Sequence, residues 1–135
     1  MKNLILSITV AAVLASCSSL STSKSKVGSA QPALSGTSWI LADAVKGNSP
    51  TLKVEDSKVS GNAGCNNYFG EVALNTAGGS FVAQNLGSTR KMCENMDVEK
   101  NFMEMVSQAN KYVVNGNTLE LYKDNLLLLK FNKSE

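Results

Sequence analysis

Tyr112-Val113-Val114-Asn115-Gly116-Asn117-Thr118-Leu119-Glu120-Leu121-Tyr122 is the stretch that decides the fold. Runs of β-branched, aliphatic and aromatic residues flank an Asn-Gly pair. Asn-Gly tolerates the positive φ of a type I′ turn, so the stretch predicts a β-hairpin. Asp124-Asn125 then turns the chain into a further run over 126–131. Its first four residues are apolar on both faces, which predicts a strand that is central or covered. Toward the N-terminus, Thr37-Ser38-Trp39-Ile40-Leu41 and Leu52-Lys53-Val54-Glu55 read as strands, and Val59 resumes the pattern after an Asp56-Ser57 turn. Residues 68–74 set Tyr68, Val72 and Leu74 on one face with Gly70, against Phe69, Glu71 and Ala73. Gly78-Gly79 signals a turn before the run 81–86.

One segment breaks the strand pattern. Val98, Phe102, Met105, Val106 and Ala109 recur at helical spacing, predicting an amphipathic helix over about 96–110. Asn95 is a candidate N-cap, and Asp97 and Glu99 fall in the first turn, where the helix dipole favours negative charge. The Met-bearing stripe reads as core packing. The fold class is mainly β (α+β). It is a small antiparallel β-barrel-like domain of about eight short strands, with the helix covering an open face or end. Trp39, Phe69, Phe81, Phe102 and Phe131 are available to fill its interior.

The 135 residues carry 43% hydrophobic and 18% charged side chains, enough apolar material for one packed domain and too little charge for a disordered chain. The net charge of +2 is far from the basic balance of nucleic-acid binders. Histidine is absent. That removes the commonest general base, the Ser-His and Cys-His nucleophile pairs, and most zinc and copper sites. Glu55/Asp56 and Glu94/Asp97 are paired carboxylates, but they read as turn and helix-cap residues.

The N-terminus reads as an address. Lys2 precedes a mostly apolar run over 4–14, too short to span a bilayer and suited to a secretory h-region. Leu14-Ala15-Ser16-Cys17 resembles the bacterial lipoprotein box. The resemblance implies removal of residues 1–16 and a diacylglyceryl group on Cys17. Several acyl chains suffice for stable anchoring where a single chain does not. Ser18, in place of an Asp, points toward the outer membrane. Residues 17–33 then form the lipidated Cys and a Ser-rich flexible tether with a reach of about 20–25 Å, and 34–135 form the domain.

Two cysteines remain, Cys65 and Cys93, in an oxidising compartment. A disulfide is the natural reading. Two buried free thiols and a redox pair are the alternatives, although the spacing lacks the Cys-x-x-Cys form of a catalytic pair.

Around Cys65 runs Val59-Ser60-Gly61-Asn62-Ala63-Gly64-Cys65-Asn66-Asn67-Tyr68-Phe69-Gly70. Gly and Asn adopt left-handed backbone readily, and Asn side chains bond nearby main chain, so the stretch reads as a tight, self-bonded turn. A polar recognition loop, or a nest of backbone N–H groups for an anion, is the other reading. This segment resembles the signature of the META domain (HslJ-like) family, Gly-Asn-x-Gly-Cys-Asn-x-(Tyr/Phe)-x-Gly. Leu34-Ser35-Gly36-Thr37-Ser38-Trp39 resembles the family's opening Leu-x-Gly-Thr-x-Trp. Ser88-Thr89-Arg90-Lys91-Met92-Cys93 resembles its Thr-(Arg/Lys)-Met-Ala-Cys, with Lys91-Met92 where Met-Ala is usual. A helix with an early Glu, here Glu99, follows, and Gly116-Asn117-Thr118-Leu119-Glu120-Leu121 resembles its Gly-x-Thr-Leu-x-Leu hairpin.

The resemblance implies a small barrel-like domain among heat-inducible envelope lipoproteins and proteins tied to antibiotic tolerance, with no catalytic residues to carry over. The expected function is therefore a lipid-anchored, non-catalytic envelope module that binds a partner or stabilises the envelope under stress. It would be a monomer with no nucleic-acid partner, cofactor or metal, facing the periplasm. The candidate binding or structural loop comprises Gly61, Asn62, Gly64, Asn66, Asn67, Thr89 and Arg90. Arg90 reads as an anion contact or as an ordinary surface charge. The alternative function is a carrier holding a small apolar ligand inside a closed barrel.

Overall fold

Leu119, Leu121, Leu129 and Phe131 all point inward from a two-stranded ribbon, and the same period-two alternation of burial recurs in the strands over 37–41 and 51–55. The computed structural model describes residues 26–135. The signal segment, Cys17 and most of the tether lie outside the described residues. The elements are β1 (Thr37–Leu41), β2 (Thr51–Glu55), β3 (Lys58–Asn62), β4 (Asn67–Asn75), β5 (Ser80–Ser88), α1 (Met96–Gln108), β6 (Lys111–Asn115), β7 (Thr118–Lys123) and β8 (Leu126–Lys133). The strands lie side by side in chain order, all neighbours antiparallel, and β8 pairs back onto β1 to close a barrel. Closure removes the free sheet edges that would otherwise recruit another strand.

An eight-stranded barrel is just wide enough to be filled by its own side chains. Trp39, Leu52, Val54, Tyr68, Phe81, Leu119 and Phe131 occupy the interior, each essentially without solvent contact. The helix α1 connects β5 to β6 and closes the barrel with Phe102 and Val106. The Phe102 ring meets Tyr68 at 5.5 Å and Phe131 at 6.2 Å, both edge-on, the arrangement the ring quadrupoles favour. Each such buried side chain contributes roughly 1.5–3 kcal/mol.

Four local expectations are corrected, and a fifth, the Asn95 N-cap, holds in position. The β6–β7 turn is centred on Gly116-Asn117, because Asn115 stays in the ladder opposite Thr118. Gly116 takes φ +59 at the first central position, the II′ arrangement instead of I′. The helix ends at Gln108 because Ala109 is already extended and Asn110 is drawn into the sheet. The Asn110 amide donates to Tyr122 O, and its carbonyl accepts from Phe81 N. Asn95 occupies the N-cap position without a side-chain capping bond; its amide lies against Gly47. Leu126 and Leu127 are exposed, at 65% and 45%, although their strand is central. A register shift between Leu121 and Tyr122 breaks the alternation there. Phe69 lies outside the barrel, 59% exposed, and takes no part in the core.

The β5–β6 contact is the thinnest seam, with Ser80↔Lys111 its one registered pair. Residues that precede β1 reinforce it. Gln31 N donates to Thr76 O at 2.7 Å, and Gln31 Oε1 accepts from Val114 N at 2.9 Å. The buried Tyr112 hydroxyl donates to Pro32 O at 2.8 Å. The last residues of the expected tether are thus fixed to the barrel.

Candidate functional site

The β3–β4 turn, the chain after β5 and the first turn of α1 meet at one end of the barrel. Asn66 sits at their junction, 1% exposed. Its Oδ1 accepts from Thr89 Oγ1 at 2.8 Å and Lys91 N at 2.7 Å. Its Nδ2 donates to Lys91 O at 2.9 Å and Glu99 Oε1 at 3.1 Å. Its backbone N–H donates to Glu99 Oε2 at 2.7 Å, and its carbonyl accepts from Ala63 N at 2.8 Å. One side chain therefore ties three elements together with every polar atom satisfied. Glu99 is 8% exposed and makes no ion pair among the described residues. Its carboxylate is held by the two Asn66 donors and by its place in the first helical turn.

The rest of the loop folds onto the same junction. Asn62 Oδ1 accepts from Gly64 N at 2.8 Å, and Asn62 Nδ2 donates to Asn67 Oδ1 at 3.1 Å. Asn67 N donates to Thr89 Oγ1 at 3.2 Å, and Thr89 N returns to Asn67 O at 3.0 Å. The amides of Ala63, Gly64, Asn66 and Asn67 each have an internal acceptor, which leaves none of these four free to cradle an anion. Gly61 admits no side chain, since a Cβ there would strike the Thr51 carbonyl. Gly64 takes φ +111 with Val98 Cγ1 3.0 Å from where a Cβ would stand. A disulfide joins Cys65 to Cys93 across 28 residues and closes this end covalently.

The candidate loop residues are therefore brought together, with one exception. Arg90 is exposed and makes no ion pair among the described residues. It rims a hollow of about 250 Å³ with Thr89, Met92 and Met96.

The family model for the META domain matches residues 32–135. The chain belongs to the META domain family. This META domain is similar to a protein from Burkholderia xenovorans solved by NMR, with 28% identity and a TM-score of 0.63. That likeness covers 75% of this chain and 83% of the other. A second NMR structure, at 24% identity and TM-score 0.59, covers 73% of this chain and 90% of its own; it supports the fold alone. No curated protein matches.

Two further features of the META domain escaped the sequence reading. The helix dipole and the family resemblance both mark Glu99, and neither shows that it sits three residues before Phe102 on the buried stripe. An acidic residue on an apolar stripe is a signal for a buried partner. The second feature is a hollow of about 380 Å³ on the outer surface of β2–β5, beside the exposed Phe69. A narrower groove of about 240 Å³ runs between α1 and the β1–β2 loop over Phe102 and Leu129. Among the described residues, no cluster of potential metal ligands occurs, and no helix is long and apolar enough to cross a membrane.

Proposed function

We propose that this META domain is a non-catalytic binding module, tethered to the bacterial envelope by an acylated Cys17 and acting at the periplasmic face of the outer membrane under stress. One observation carries the non-catalytic reading: the polar groups of the family signature are committed to each other. Asn66 makes contacts to Thr89, Lys91 and Glu99 that hold the barrel end together, with no donor left for a reacting group. The lipoprotein box at 14–17 and the Ser-rich segment that follows support the anchor.

Cys17→Ala tests the anchor. The expected result is release from the membrane fraction into soluble extract, and mass spectrometry of the unaltered protein should find a start at Cys17 with added acyl chains. Membrane retention of the Cys17→Ala protein would refute the anchor. The carrier alternative has less support, because Trp39, Tyr68, Phe81, Phe102 and Phe131 occupy the space an internal ligand would need.

A further inference from the structure

Phe69 stands on the outside of the barrel although β4 is built mainly to bury Tyr68 and Val72. The ring lies across Gly87 on β5, where a Cβ would come to 3.0 Å from Phe69 Cε2, so the absent side chain lets the ring lie close to the strand. Beside it the β4–β5 ladder carries a bulge. Phe69 pairs with Gly87 and Glu71 with Gln84, so Asn85 and Leu86 together oppose Gly70. Asn85 takes φ +51 in the bulge, and its Nδ2 donates to Glu71 Oε2 at 3.0 Å. A Cβ at Gly70 would lie 2.7 Å from Leu86 Cδ2 and 2.9 Å from Gln84 O. Beside the bulge and the glycines lies a hollow of about 380 Å³, within the roughly 300–1,000 Å³ of small-molecule sites.

The rim is polar and of mixed sign. Glu55, Lys58 and Glu71 lie in one cross-strand row, and Ser60 lies opposite Phe69 in the next. Glu55 is paired with Lys53 at 2.7 Å, whereas Lys58 makes no ion pair among the described residues. The charges around the hollow balance, Glu55 and Glu71 against Lys53 and Lys58, so no net field selects an anion or a cation. A peptide strand has no unpaired edge to join, because β3 and β4 are each bonded on both sides. A charge-balanced rim around an exposed ring suits an uncharged molecule with one apolar face and a rim of groups that both donate and accept. A pyranose ring has that form: its C–H face stacks on an aromatic ring and its equatorial hydroxyls bond carboxylate, amide, hydroxyl and ammonium groups.

We propose that this outer face of β2–β5 binds a neutral pyranose saccharide, stacked on Phe69 and held at its edge by Glu71, Asn85, Ser60 and Lys58. The proposal rests on reading the META domain as a binding module and names its ligand class. The test is an amide NMR titration of the full chain in detergent micelles, with cellotetraose and with the tetrasaccharide of N-acetylglucosamine as separate arms. Saturable shifts at Ser60, Phe69 and Asn85 with either sugar are expected, and the arm that binds tells plain from N-acetylated rings. Phe69→Ala should weaken binding about tenfold or more while the remaining spectrum keeps its dispersion. Asn85→Gly, which keeps the left-handed backbone, should weaken it several-fold. Absence of shifts with both sugars at millimolar concentration would overturn the proposal, as would shifts that survive Phe69→Ala. Neither outcome bears on the anchor, which membrane fractionation reads separately.

Discussion

Strand β5 is held differently at its two ends. At Ser88 the chain runs into the Asn66 junction and the Cys65–Cys93 bond, where β4, β5 and α1 are joined by covalent and buried polar links. At Ser80 one registered pair reaches β6, and the seam is completed by Gln31 and Pro32 from outside the strand set. A barrel whose chain leaves the sheet between two strands must repair that gap. Here the helix and the disulfide repair one end, and the segment leading in from the N-terminus repairs the other. The segment that precedes β1 is thus part of the fold's closure.

Removing the covalent link should have the largest effect. Cys65→Ala with Cys93→Ala frees a loop of 28 residues, with an expected loss of about 3–4 kcal/mol in the chain-entropy model. Equilibrium urea unfolding measures it, and a loss below about 1 kcal/mol would show that the Asn66 network holds that end alone. The seam should be weaker but measurable. Deleting residues 26–33 strips partners from Thr76 O, Val114 N and the buried Tyr112 hydroxyl. The expected cost is on the order of 2–3 kcal/mol, with faster amide exchange in β6 than in β4. Gln31→Ala alone should cost about 1 kcal/mol. Equal exchange in the two strands would erase the distinction between the ends.

The smallest effect is alkaline. Burial pushes the Tyr68 phenol far above its ordinary value of 10.0 and raises Tyr112 as well. Tyr122 is pushed up to about 12, by burial first and then by the hydrogen bond and charge of Glu120. Raised values mean that the fold favours the neutral phenols. Their contribution is complete below the unfolded value of 10.0 and is lost as pH rises through the folded values. The melting temperature should therefore hold up to about pH 9 and fall above 10, less steeply in Tyr68→Phe.

Much of this was legible in the residues, for a local reason. Hairpin turns, strand alternation and the Val98–Ala109 stripe are read over a few positions, and they gave the barrel and its helix. What failed depended on bulges and distant partners. The shift at Leu121/Tyr122 exposes Leu126 and Leu127, which no run of four leucines reveals. The packing of Phe69 on Gly87 and the binding of Gln31 to Val114 need pairings 18 and 83 residues apart. Within the candidate site, the loop's self-bonding was readable from its Gly and Asn content; the place of Glu99 on the apolar stripe signals a buried partner without naming Asn66, 33 residues away.

Unfolding free energies of Asn66→Ala and Phe69→Ala, measured side by side, test most directly whether the family signature builds the barrel while the outer face is left for binding. Asn66→Ala should lose about 3 kcal/mol, because it strips Glu99 of its side-chain donor and opens the junction. Phe69→Ala should change stability by no more than about 0.5 kcal/mol, as expected of an exposed side chain. A stable Asn66→Ala protein, or a Phe69→Ala protein that unfolds, would contradict the account.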